Sequence, residues 1–142
     1  MQAGNIILAI DDDPDDLELL VSALENDNVD ITCMTAKNAK DGLKLLWSLD
    51  RLPKIIFLDC NMPGISGKEC LIEIRNDIRS RDVPVVMYST FATESDMEFF
   101  RKWNASFMKK HTDFASMKSD IMLTIEAYLM NIRNYHERSG KR

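Results

Sequence analysis

The stretch LAIDDDPDDLEL, residues 8–19, sets five acidic residues into the six positions from Asp11 to Asp16, directly after an apolar run. Like charges at this spacing repel, and burial sharpens the repulsion. The cluster is therefore either solvated or gathered around a cation. The same stretch is also a junction. Asn5 to Ile10 is a short β-branched run, Asp13 is a helix N-cap, and Pro14 takes the first helical position. Leu17, Leu20, Val21 and Leu24 then recur at helical spacing through Glu25. A strand running into a helix is the first half of a βαβ unit.

Reading outward, the alternation repeats. Further strand-like runs lie at Val29 to Met34, Lys54 to Leu58, Val83 to Tyr88 and Ser106 to Met108. Helical patterns lie at Ala39 to Leu49, Gly67 to Ile78, Glu94 to Trp103, and from Phe114 to about Tyr135, followed by a basic tail over 136–142. The last helix carries Met117, Ile121, Ile125, Tyr128 and Ile132 in one stripe. Runs such as IIFL (55–58) are apolar throughout, as inner strands of a parallel sheet covered on both faces must be. The expectation is an α/β fold, a five-stranded parallel sheet doubly wound by five helices, in a single domain over 1–142. Of Phe99 and Phe100, adjacent on one helix, a single ring is expected to face inward.

Composition narrows the function. A net charge of −5 argues against a nucleic-acid surface, which needs clustered Lys and Arg. No apolar run approaches the roughly 18 residues of a membrane span, and MQAGNIILAI lacks the charged region and cleavage pattern of a signal peptide. A cytoplasmic protein without a membrane or nucleic-acid partner is expected. Cys33, Cys60 and Cys70 have neither a CxxC spacing nor an even count, so they read as reduced, mostly buried thiols.

Helix chemistry accounts for Asp13, Asp15, Asp16 and Glu18, anions at a helix N-terminus. Asp11 and Asp12 precede the helix, at the carboxyl end of the first strand, the edge where open α/β sheets bind ligands. Asp59 closes KIIFL in the same way. If the first and third strands are neighbours, the three acids share one crevice, and hard oxygen ligands of this kind suit Mg²⁺. The fourth strand ends in Ser89-Thr90, hydroxyls suited to an anion, and the fifth in Lys109-Lys110.

This order of strand ends resembles the receiver domain of two-component response regulators, close to the single-domain, chemotaxis-receiver-like kind. The resemblance is carried by ILAIDDDP, IIFLDCNMPGISG, VPVVMYST and SFMKKH. It implies a flavodoxin-like sheet of order 2-1-3-4-5. It also implies Asp59 as phosphoacceptor, Asp12 as a direct Mg²⁺ ligand, Asp11 acting through water, and the Asn61 backbone carbonyl as a further ligand. Ser89 takes the switch-hydroxyl position with Thr90 beside it, Lys110 the phosphoryl-contacting lysine, and Phe107 the aromatic switch position. The implied partners are a sensor histidine kinase or phosphotransfer protein and a downstream protein docked on the face of helix 4, strand 5 and helix 5. A phosphorylation-dependent homodimer stays open.

The sequence departs from the family pattern at several places, among them Ser89 for the commoner threonine and exchanged small residues at Ala39 and Gly42. His111 stands where proline usually follows the lysine, which leaves Lys109 as a rival for its role. Thr90 replaces a small alanine. Phe91 follows it and is expected to narrow the mouth of the site and slow attacking water. RSGKR (138–142) is too short for an output domain, so signalling by contact is expected. Two alternatives remain: a phosphorylation-independent docking module, and an aspartyl-phosphate phosphatase of the haloacid dehalogenase type. The second wants a D-x-D motif, whose letters Asp11 and Asp13 supply, and a cap domain for which no segment is evident.

Overall fold

The structure, a computed structural model, describes residues 4–25 and 30–140, with side chains through Tyr128. Its elements alternate without exception: β1 (Asn5–Ile10), α1 (Pro14–Glu25), β2 (Ile31–Ala36), α2 (Ala39–Ser48), β3 (Ile55–Asp59), α3 (Gly67–Asn76), β4 (Val85–Ser89), α4 (Glu94–Lys102), β5 (Ser106–Lys109) and α5 (Phe114–Gly140). The strands form one parallel sheet in the order β2-β1-β3-β4-β5. The expected fold class and strand order are those observed.

Side chains alternate across each strand, and the sheet divides the core into two layers accordingly. Leu8, Ile10, Ile56, Leu58, Val85 and Met87 face α2, α3 and α4, together with Leu46, Ile74 and Phe100. Ile7, Ala9, Ile55, Phe57, Val86, Tyr88 and Met108 face α1 and α5, together with Leu20, Leu24, Met117, Ile121 and Ile125. Every residue of β3 and β4 is buried. Phe100 is the inward ring of the aromatic pair, and Phe99 packs half-buried beside it.

Several boundaries differ from the sequence reading, each for a local reason. β2 begins at Ile31, where its register with Asn5 starts; the expected start, Val29, lies outside the described residues. β4 begins after Pro84, which has no N–H for the ladder and contributes its carbonyl to the Ile56 amide. α3 stops at Asn76, and the chain turns on Asp77, whose carbonyl accepts from the amides of Ser80 and Arg81. Ile78, in phase with the buried face, is consequently 79% exposed. Ala23, rather than the half-buried Val21, completes the buried face of α1. α5 runs to Gly140, through most of the segment expected to be a tail; the Ile132 side chain lies outside the described ones.

Candidate functional site

The carboxyl edge of the sheet is built from the last rungs of the parallel ladder. Beyond the ends of β1, β3 and β5, the amides of Asp11, Cys60 and Lys110 still donate to Ala36, Tyr88 and Ser89 carbonyls at 3.1, 3.1 and 2.8 Å. The residues that follow each apolar run are thereby held as firmly as the strands. At the α3 end, Gly67 approaches so closely that a Cβ there would collide with the Asp59 carbonyl. Ser66 begins α3 with a reciprocal capping box to Glu69.

Strand phase decides which side chains converge. Lys110 is in phase with the buried Met108, whereas Lys109 is in phase with Phe107 on the opposite face and is exposed. The Lys110 ammonium lies 3.1 Å from Asp59 Oδ1, 3.2 Å from Asp11 Oδ2 and 2.9 Å from Asp16 Oδ2. All peptide bonds described are trans, including the one into His111, and Lys110 still reaches the three carboxylates. The His111 ring pairs with Asp120 of α5 at 2.5 Å, joining the loop behind Lys110 to that helix. Ligand oxygens of Asp11, Asp12 and Asp59 all lie within 4.8 Å of one another.

Asp11 is fully buried and Asp59 nearly so, while Asp12 is exposed. Asp11 Oδ1 accepts the Asp13 amide at 3.0 Å, and Oδ2 accepts the Tyr88 hydroxyl at 2.7 Å. Burial, and next the charge of Asp11, push the Asp59 carboxyl up to about 7 against the pull of Lys110. Burial also opposes the charge on Lys110, but the Asp16 hydrogen bond and the charges of Asp59 and Asp11 outweigh it and raise its pKa. The two shifts are compatible because one ammonium serves three carboxylates: it stays charged and still leaves negative charge uncompensated. Hard, crowded, under-neutralised oxygen donors are the chemistry a small divalent cation fits.

Of the remaining predicted residues, Asn61 and Ser89 border this cluster, while Thr90 and Phe107 stand apart from it. The Asn61 amide donates to Asp59 Oδ1 at 3.4 Å, and its side chain donates to Ser89 Oγ at 3.2 Å. Ser89, 2% exposed, in turn donates to the Phe91 carbonyl at 3.0 Å. Thr90 lies exposed on the loop. The Phe91 ring is 73% exposed, and its backbone carbonyl and amide engage Ser89. Phe107 is half-buried and stacks on Phe100, centroids 6.0 Å apart and planes 8° from parallel. The thiols of Cys33, Cys60 and Cys70 are free, and burial pushes each up to about 12, which disfavours the thiolate.

Two members of the cluster escaped the sequence reading. Asp16 had a sufficient explanation as a helix-terminal anion, so nothing marked its second role on Lys110. Tyr88 read as one more apolar strand residue. Its signal was there, since a buried tyrosine hydroxyl needs a partner and Tyr88 shares a sheet face with Asp11.

The comparisons with known proteins agree with this geometry. A family model described as the response regulator receiver domain matches residues 7–122. The uncharacterized 14.6 kDa protein of the sodA1 3' region of Leptolyngbya boryana is 35% identical over 92 residues, 65% of this chain and 67% of that protein. For other curated relatives the match spans as little as 11% of their length. The phosphorylated cyanobacterial phytochrome response regulator RcpA superposes with a TM-score of 0.81 at 25% identity, over 89% of this chain and 95% of that one. The Mn²⁺-bound response regulator Rcp1, at 21% identity, shares the fold with a TM-score of 0.77, over 88% of this chain and 94% of that one.

Proposed function

The chain belongs to the response regulator receiver family, and on that premise we propose that it is a cytoplasmic, single-domain, phosphorylation-driven switch with Asp59 as the phosphoacceptor. Receiver domains are signalling modules that partner histidine kinases; the proposed donor here is the phosphohistidine of such a kinase or of a phosphotransfer protein. The observation that carries the reading is the convergence of Asp11, Asp12, Asp59 and Lys110 at the carboxyl edge of the sheet.

In the proposed step an Asp59 carboxylate oxygen attacks phosphorus in line. The new O–P bond forms as the P–N bond to the donor imidazole breaks, and the imidazole keeps the electron pair. Such a transfer needs little beyond positioning and charge neutralisation. Lys110 supplies one positive charge to the phosphoryl oxygens. Asp12, Asp59 and the Asn61 carbonyl would hold Mg²⁺ directly. Asp11, whose two oxygens already receive three donors, would act through water. Bound there, Mg²⁺ would neutralise the remaining charge on the transferred group.

The phosphoryl group adds about two negative charges beside Ser89. Ser89 would exchange its bond to the Phe91 carbonyl for a phosphoryl oxygen, and the loop before α4 would follow. Phe107, stacked under α4, links that movement to the face of α4, β5 and α5, where a downstream protein is proposed to dock. A groove of about 390 Å³ between β5 and α5, lined by Ser106, Phe107, Thr124 and Tyr128 among others, opens on this face.

The test is intact mass after incubation with acetyl phosphate and Mg²⁺. The expected result is one added phosphoryl group on the wild type and none on Asp59→Asn or on chelated protein. Absence of the adduct on folded wild type would turn the reading to phosphorylation-independent docking.

A further inference from the structure

Tyr88 is not accounted for by the reaction as described. Its ring is fully buried, set edge-on against Phe57 with centroids 6.4 Å apart, and the Lys110 ammonium lies 4.8 Å from the ring centroid. Its hydroxyl donates to Asp11 Oδ2 at 2.7 Å. Three donors thus hold this buried carboxylate: the Asp13 amide on Oδ1, and the Tyr88 hydroxyl and Lys110 on Oδ2. They are not equivalent. The amide is fixed by the start of α1 and the hydroxyl by β4, but the ammonium is shared with Asp16 and Asp59 and is the group that phosphorylation must recruit. When Lys110 turns to a phosphoryl oxygen, Asp11 Oδ2 keeps one donor, the Tyr88 hydroxyl.

We propose that Tyr88 is a positioning residue of the metal and phosphoryl site: its hydroxyl holds Asp11 in register with Asp12 and Asp59 while Lys110 is free to move. The inference rests on the phosphoacceptor reading above and adds a residue to it. Tyr88 acts through Asp11 and touches no reacting atom. The β3–β4 register, which sets Tyr88 beside Asp59, and the packing on Phe57 make the hydroxyl a rigid reference point. Hydrogen-bond partners behind a metal site are typically worth about 10- to 100-fold in metal affinity, and Tyr88, acting through Asp11 and a water, belongs at the lower end of that range.

The experiment is calorimetric titration of the unphosphorylated full chain with Mg²⁺, comparing wild type with Tyr88→Phe, which keeps the ring and removes the hydroxyl. The expected result is a dissociation constant about 10-fold higher or more in the variant, with an unchanged circular dichroism spectrum. Equal affinities would overturn the role of Tyr88 alone, whereas a wild type that binds no Mg²⁺ would overturn the phosphoacceptor reading itself. Should Tyr88→Phe not fold, the wild type still decides. A slowly exchanging Tyr88 hydroxyl proton, seen by NMR and shifted on adding Mg²⁺, is expected, and a hydroxyl in fast exchange with water would overturn the proposal.

Discussion

At the residue scale the site is a balance of charge that does not close without a cation, and Asp59 carries the imbalance. Its carboxyl is raised from 3.8 to about 7, first by burial and then by Asp11. Between those two values the folded state holds a proton that the unfolded state has released. The contribution of Asp59 to stability therefore falls as pH rises across that window and levels off above about 7. Asp59→Asn removes this dependence. In chelator, urea melts should show the advantage of Asp59→Asn over wild type growing from about pH 4 to about pH 7 and flat beyond; a difference independent of pH would refute the account. Asp11, Asp12 and Asp59 were legible in the sequence because each follows an apolar run that could only be a strand. Asp16 and Tyr88 were not, because a cap and a core position each explained the residue without reference to the neighbouring strand ends it meets.

At the element scale, the junctions rather than the helices and strands carry the less obvious interactions. Arg75, at the end of α3, donates to the carbonyls of Trp103, Arg81, Val83 and Asn104 at 2.8, 3.1, 2.7 and 3.0 Å. It pins the turns before β4 and β5, including Asn104 at φ 55°. Arg75→Ala removes one donor from four carbonyls, two of them part-buried, and should cost about 2–3 kcal/mol in urea unfolding. A loss below about 0.5 kcal/mol, the level of an ordinary surface substitution, would show the staple to be idle. Ser66→Ala, which removes one half of the α3 capping box, should cost about 1 kcal/mol. Element identities were readable from periodicity, but their ends were not. Register, proline and turn geometry set the limits of β2, β4 and α3, and an in-phase residue such as Ile78 carries no mark of being outside the helix.

At the scale of the whole molecule, two apolar layers on either side of β1, β3 and β4 fix the strand ends to one another, so the site inherits the rigidity of the core. Ligand binding at that edge must feed back on global stability by mass action. Mg²⁺ at a hundred times its dissociation constant should stabilise the wild type by about 2.7 kcal/mol, read as a shift in the urea midpoint. A midpoint unmoved by Mg²⁺ would argue against the site. The layered architecture was legible because the apolar runs alternate with helical patterns from end to end, whereas the strand order came from the family resemblance and not from that alternation. Which side chains meet across the edge depends on strand phase, and the rivalry of Lys109 and Lys110 needed the sheet itself to resolve it.

Locating the modification decides whether Asp59 is the group that accepts phosphate. Protein treated with acetyl phosphate and Mg²⁺, reduced with borohydride and mapped by peptide mass spectrometry, should carry homoserine at position 59, the product expected of a reduced aspartyl phosphate, and only when metal is present. Homoserine at another acidic position, or an unreduced phosphoester on Ser89, would contradict it.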